Sequence, residues 1–143
     1  MSPARARLLA PAAPRVLVVE DEGIVAADIA LTLEGQGYSV GTAASADEAL
    51  AEAERAPADV VVMDIRLEGK GDGVWAADRL RQRFGVPVVF LTAHGDPETV
   101  ARAMAAGPHG YLVKPFRPTE LLTAVEVALS RDALERGLRE RER

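Results

Sequence analysis

Apolar runs of three to six residues, each closed by a polar residue or a turn, recur along this chain with helical patterns between them. Val16-Leu17-Val18-Val19 ends in Glu20-Asp21, Val60-Val61-Val62-Met63 ends in Asp64, Val88-Val89-Phe90-Leu91 ends in Thr92, and Tyr111-Leu112-Val113 ends in Lys114; a weaker run spans Tyr38 to Ala43. Short β-branched runs of this kind predict strands buried on both faces, as in a parallel sheet. After the first run, Ile24, Ala27 and Leu31 recur at helical spacing and are expected to face inward, with Gly35-Gln36-Gly37 as the stop. Ser45 is expected to cap a second helix with Glu48 in a capping box, and Pro57 to end it. A third helix is predicted from about Val74 to Phe84 with Ala77, Leu80 and Phe84 inward, a fourth from about Pro97 to Ala106, and a fifth from Pro118 past Arg131 with Leu122, Val125 and Leu129 on the sheet. Strand and helix thus alternate five times, which is the pattern of a parallel sheet with helices on both faces.

The chain has 143 residues, enough for one domain with a real core. Its net charge of -5 argues against non-specific nucleic-acid binding. It has no cysteine, which excludes disulfides and thiolate chemistry and fits a cytoplasmic setting, and no apolar stretch long enough to span a bilayer. Residues 1–14, interrupted by Pro11 and Pro14, are expected to form a flexible tail, 15–130 the domain, and 131–143 a charged helical extension. In that extension Val127, Leu134 and Leu138 could begin a coiled coil, while Gly137 and the charges suit a solvated, frayed end equally.

Parallel strands end at one edge of their sheet, so Glu20, Asp21, Asp64, Thr92 and Lys114 should converge there. Three carboxylates together repel unless a cation sits among them, and oxygen donors without nearby nitrogen or thiolate ligands suit Mg²⁺, with Mn²⁺ as a substitute. A lysine and a threonine hydroxyl opposite a metal-bound carboxylate form a site for phosphoryl oxygens, with Asp64 as nucleophile.

These residues, within Val-Val-Glu-Asp-Glu (18–22), Val-Met-Asp (62–64), Asp-Gly (72–73), Leu-Thr-Ala (91–93) and Tyr-Leu-Val-Lys-Pro-Phe (111–116), resemble the receiver domain of two-component response regulators. The resemblance runs from about Arg15 to Leu129. It implies a flavodoxin-like α/β fold, with a five-stranded parallel sheet in the order 2-1-3-4-5. It implies phosphorylation of Asp64 by a histidine kinase or phosphotransfer protein, Mg²⁺ on Asp21 and Asp64 with Glu20 acting through water and the Arg66 carbonyl as a further ligand, and a cis Lys114-Pro115 bond. It also implies a switch in which Thr92 moves toward the phosphoryl group and Tyr111 turns inward, altering the face made by the fourth helix, last strand and last helix.

The stretch Leu67-Glu68-Gly69 departs from the Met-Pro common in that family and resembles receivers tied to sensor-kinase or PAS-containing proteins. Arg66 and His94 flank the path of an attacking water and are expected to tune the lifetime of the aspartyl phosphate. His109 reads as a turn residue, and Trp75 as a half-exposed residue that could contact a partner. No DNA-binding output segment is expected within these residues, so the output would come from a partner, from a homodimer through the last helix or the switch face, or from a larger protein. An aspartate-nucleophile phosphatase would need an acid-base aspartate where Arg66 stands. A nucleotide-binding module would need a glycine-rich or hydroxyl-rich loop where Glu20-Asp21-Glu22 repels phosphate. A scaffold with a dead acceptor does not fit the intact set of strand-end residues.

Overall fold

A computed structural model of the chain describes residues 13–67, 72–93 and 97–141. In chain order the elements are β1 (Arg15–Val19), α1 (Gly23–Gly35), β2 (Ser39–Ala43), α2 (Ala46–Arg55), β3 (Val60–Asp64), α3 (Gly73–Phe84), β4 (Val88–Thr92), α4 (Pro97–Ala105), β5 (Gly110–Val113) and α5 (Pro118–Arg141). The strands form one sheet in the order β2-β1-β3-β4-β5, and all four pairings are parallel. The flavodoxin-like architecture expected from the sequence is the one observed.

Alternate residues of the central strands feed two cores, as the pleat requires. Leu17, Val19, Val61, Met63, Val88 and Phe90 pack beneath α2, α3 and α4, where Ala49, Ala53, Ala77, Leu80 and Ala103 lie flat on the sheet. Val16, Val18, Val60, Val62, Val89 and Leu91 pack on the other face against Ile29 and Leu33 of α1 and Leu121, Val125 and Ala128 of α5. The apolar runs are continuous because both faces of these strands are covered.

Two helix phases differ from expectation. In α1 the buried residues are Ala26, Ile29, Ala30 and Leu33, whereas Ile24 is 89% and Leu31 70% exposed and Ala27 also faces out. This helix is apolar almost all round, so spacing alone cannot choose its buried face; its entry from β1, where the Ala26 amide bonds the Glu22 carbonyl at 2.9 Å, sets the rotation. In α5 the buried line is Leu121, Val125, Ala128 and Asp132, with Leu122 and Leu129 at its margins. Phe84 likewise packs at the edge of its core, only partly buried.

The capping box is displaced by one residue. The Ser45 hydroxyl accepts from the Glu48 amide at 3.2 Å, while the Glu48 carboxylate accepts from the Ala44 amide at 2.8 Å. At the far end, α5 continues as a helix to Arg141, past its last buried residue, with Leu134 and Leu138 exposed. There His109 does more than turn the chain: its Nε2 lies 3.1 Å from the Glu135 carboxylate and its carbonyl accepts from Arg131 at 3.3 Å. The expected tail, apart from Ala13 and Pro14, lies outside the described residues, as do Glu68, Gly69, Lys70 and His94.

Candidate phosphoryl-acceptor site

The strand ends converge because the parallel ladder runs one residue beyond each strand. The Glu20 amide bonds the Ala43 carbonyl at 3.0 Å, the Ile65 amide the Leu91 carbonyl at 3.0 Å, and the Lys114 amide the Thr92 carbonyl at 2.7 Å. Glu20, Asp64, Thr92 and Lys114 are thereby held at one edge, and the Lys114–Pro115 bond is cis.

Lys114 Nζ donates to Glu20 Oε2 and to Asp64 Oδ2, each at 2.9 Å. The second oxygen of each carboxylate is held by backbone. Asp64 Oδ1 accepts from the Arg66 amide at 3.0 Å, and Glu20 Oε1 from the Glu22 amide at 3.2 Å. Both carboxylates and the Thr92 side chain are buried, and the Thr92 hydroxyl donates to the Ala93 carbonyl at 3.2 Å. Burial together with the neighbouring Asp64 pushes the Glu20 carboxyl up to about 7, against the opposing pull of Lys114. Burial disfavours the lysine charge, yet the two carboxylates outweigh it and raise the Lys114 pKa. The site therefore carries more negative charge than a single ammonium neutralises.

Carboxylate oxygens of Glu20, Asp21 and Asp64 lie within 4.8 Å of one another, close enough to share one ion. An all-oxygen donor set at that spacing, where mutual repulsion and burial already raise the Glu20 carboxyl, fits a hard divalent cation such as Mg²⁺.

The start of α3 lies against the end of β3. The Gly73 amide bonds the Ile65 carbonyl at 2.8 Å, and a Cβ at Gly73 would stand 2.0 Å from the Asp64 carbonyl oxygen. This explains the Asp-Gly pair: Asp72 caps α3 through the Trp75 amide at 3.1 Å, and only glycine fits behind it. Sequence reasoning missed that Asp72 also pairs with Arg102 of α4. Arg66 is exposed, and Tyr111 is 49% exposed, turned outward from the sheet edge. Trp75 is half exposed, with the Arg79 guanidinium 5.2 Å from its ring centroid.

A family profile described as the response regulator receiver domain matches residues 16–126. The transcriptional regulatory protein PdtaR of Mycobacterium tuberculosis is 41% identical over 118 residues, which cover 82% of this chain and 57% of that protein. The chain thus spans little more than half the length of that relative. Among solved structures, the signal receiver domain of a modulated diguanylate cyclase from Desulfovibrio desulfuricans G20 superimposes with a TM-score of 0.81 at 38% identity, covering 86% of this chain and 98% of that one. The chemotaxis protein CheY4 of Vibrio cholerae gives 0.76 at 34% identity, covering 82% of this chain and 100% of that one.

Proposed function

The chain belongs to the response regulator receiver domain family of two-component signalling, and from that premise we propose that it is a phosphoacceptor whose signal is carried on Asp64. The observation that carries this reading is the Lys114 ammonium shared between Glu20 and Asp64, a cation poised beside a buried carboxylate that offers an oxygen as nucleophile. A phosphohistidine-bearing kinase or phosphotransfer protein is the partner class, and because such donors are charged from ATP the reaction belongs in the cytoplasm.

In this reading an Asp64 carboxylate oxygen attacks phosphorus, the bond from phosphorus to the donor's imidazole nitrogen breaks, and the imidazole leaves. Lys114 and, after rotating away from the Ala93 carbonyl, the Thr92 hydroxyl hold the transferred oxygens. Mg²⁺, held by Asp21, Asp64, Glu20 through water and the Arg66 carbonyl, would supply neutralisation of the charge developing on the phosphoryl group. Rotation of Thr92 would open space for Tyr111 to leave its half-exposed position, changing the surface made by α4, β5 and α5. The activity is signalling rather than turnover, since the aspartyl phosphate is the product that partners read. Arg66 and His94 would govern its hydrolysis; Arg66→Ala or His94→Ala should change the half-life, and unchanged rates in both would remove that role.

The direct test is incubation with acetyl phosphate and Mg²⁺. Wild type should gain one acid-labile phosphoryl group that hydroxylamine cleaves, and Asp64→Ala should gain none. Absence of labelling, or labelling that survives Asp64→Ala, would overturn the reading.

A further inference from the structure

Asp72 is tied to the acceptor through backbone. The Gly73 amide bonds the Ile65 carbonyl at 2.8 Å, and the absent Gly73 side chain leaves the chain pressed on the Asp64 carbonyl. One oxygen of the Asp72 carboxylate, Oδ1, accepts from the Trp75 amide at 3.1 Å and starts α3. The other pairs with the Arg102 guanidinium, which belongs to α4. Burial alone would raise the Asp72 pKa, but the Trp75 amide and Arg102 outweigh it and hold the carboxyl below its ordinary value. The ion pair sits at a cavity of about 390 Å³ between α3 and α4, lined also by Trp75, Asp78, Ala105 and Ala106. It therefore joins the backbone of the acceptor to the helix that follows the Thr92 loop, across a gap that side-chain packing does not fill. The same structure has Thr92 turned to the Ala93 carbonyl and Tyr111 turned outward, so the pair is a contact of that arrangement.

We propose that Asp72 and Arg102 are a positioning pair for the acceptor, holding α4 to the Asp64 backbone in the unphosphorylated arrangement and restraining the shift that accompanies phosphorylation. This rests on the reading of Asp64 as phosphoacceptor. Neither residue touches the reacting atoms; each acts through Gly73 or through α4. An exposed ion pair confined to one of two states biases their equilibrium by at most about fivefold. Removing it should speed phosphorylation by a comparable factor.

The chain offers its own reporter, since Trp75 is its one tryptophan and lines the same cavity. Trp75 fluorescence during reaction with acetyl phosphate and Mg²⁺ would be followed in wild type, Asp72→Asn, Arg102→Ala and the double variant. Asn caps a helix as well as Asp does, so Asp72→Asn removes the charge and spares α3. Each single variant should react about two- to fivefold faster, the double no faster than either single, and Arg102→Lys close to wild type. Stability in urea should fall by no more than about the same fivefold in the folding constant, and a merely structural role would give that loss without the gain in rate. Wild-type rates in both single variants, or a double variant equal to the product of the singles, would overturn the pair. If wild type itself shows no Asp64-dependent labelling, the phosphoacceptor reading falls and the pair's role with it; labelling of wild type with unaffected variants removes the pair alone.

Discussion

Replacing Gly73 by alanine tests the packing of α3 against Asp64 more severely than any change to a charged residue. The new Cβ would lie 2.0 Å from the Asp64 carbonyl oxygen, 2.8 Å from the Asp64 carbonyl carbon and 2.8 Å from the Ile65 Cα, all backbone atoms. No side-chain rotation can relieve such contacts, so the start of α3 or the end of β3 must move by about an ångström. Forced overpacking of this kind costs ~1–3 kcal/mol. The Gly73–Ile65 hydrogen bond, stretched by the same movement, is worth another ~1 kcal/mol. A loss of ~2–4 kcal/mol follows, which for a domain of this size lowers Tm by roughly 6–16 °C. Because the displaced atoms belong to the residue proposed as nucleophile, labelling of Asp64 by acetyl phosphate should fall by about 100-fold. Urea unfolding and labelling would be measured beside Gly35→Ala, where a Cβ meets no atom within 4 Å and the change should be neutral or mildly stabilising. If Gly73→Ala matches wild type within about 0.5 kcal/mol, the margin for an ordinary surface substitution, and labels normally, Gly73 does not press on Asp64 as described.

Other outcomes follow from the charge balance and from the last helix. A Glu20 carboxyl raised from 4.5 to about 7 binds its proton more tightly in the folded state. Its stabilisation is therefore complete below about pH 4.5 and is lost as pH rises to about 7, by at most ~3 kcal/mol at about 1.4 kcal/mol per pKa unit. Without divalent ions, Glu20→Gln should flatten that fall in urea melts at pH 5, 6, 7 and 8; an unaltered slope would count against the raised pKa. Lys114→Met keeps length but leaves two buried carboxylates without their ammonium, so it should destabilise by ~1–3 kcal/mol at pH 8 and abolish Asp64 labelling. Gly137→Ala adds a Cβ into open space within α5 and should stabilise by ~0.5–1 kcal/mol, read as a higher urea midpoint with unchanged labelling.

How much of this was legible beforehand depends on where the determining contacts lie. The central strands announce themselves because β3 and β4 are buried at every residue, and burial on both faces demands an unbroken apolar run. Their order and the convergence of their ends came from the resemblance together with the shared edge of a parallel sheet. The buried faces of α1 and α5 were misjudged because both helices carry apolar residues in excess of what one stripe needs. In α1 eight positions from Ile24 to Leu33 are Ile, Val, Ala or Leu, and two stripes fit the same spacing. The stripe that wins, Ala26-Ile29-Ala30-Leu33, is selected by the chain's exit from β1, a tertiary fact that periodicity does not contain.

The site divides along the same line. Glu20, Asp64, Thr92 and Lys114 could be named because each ends an apolar run, so the signal that marks the strand also marks the residue. Asp72 was visible as a helix cap and as part of an Asp-Gly pair, but not its partner, since Arg102 stands thirty residues away among the exposed charges of α4 with nothing in its spacing to single it out. His109 and Glu135 are separated by 26 residues, and their contact exists only because α5 stays helical past Asp132. Both contacts tie a residue near a strand end to a helix far from it in sequence, Asp72 to α4 and His109 to α5. The candidate site residues are thus marked by the apolar runs they end, whereas Arg102 and Glu135 lie in charged positions whose sequence pattern resembles any solvated surface.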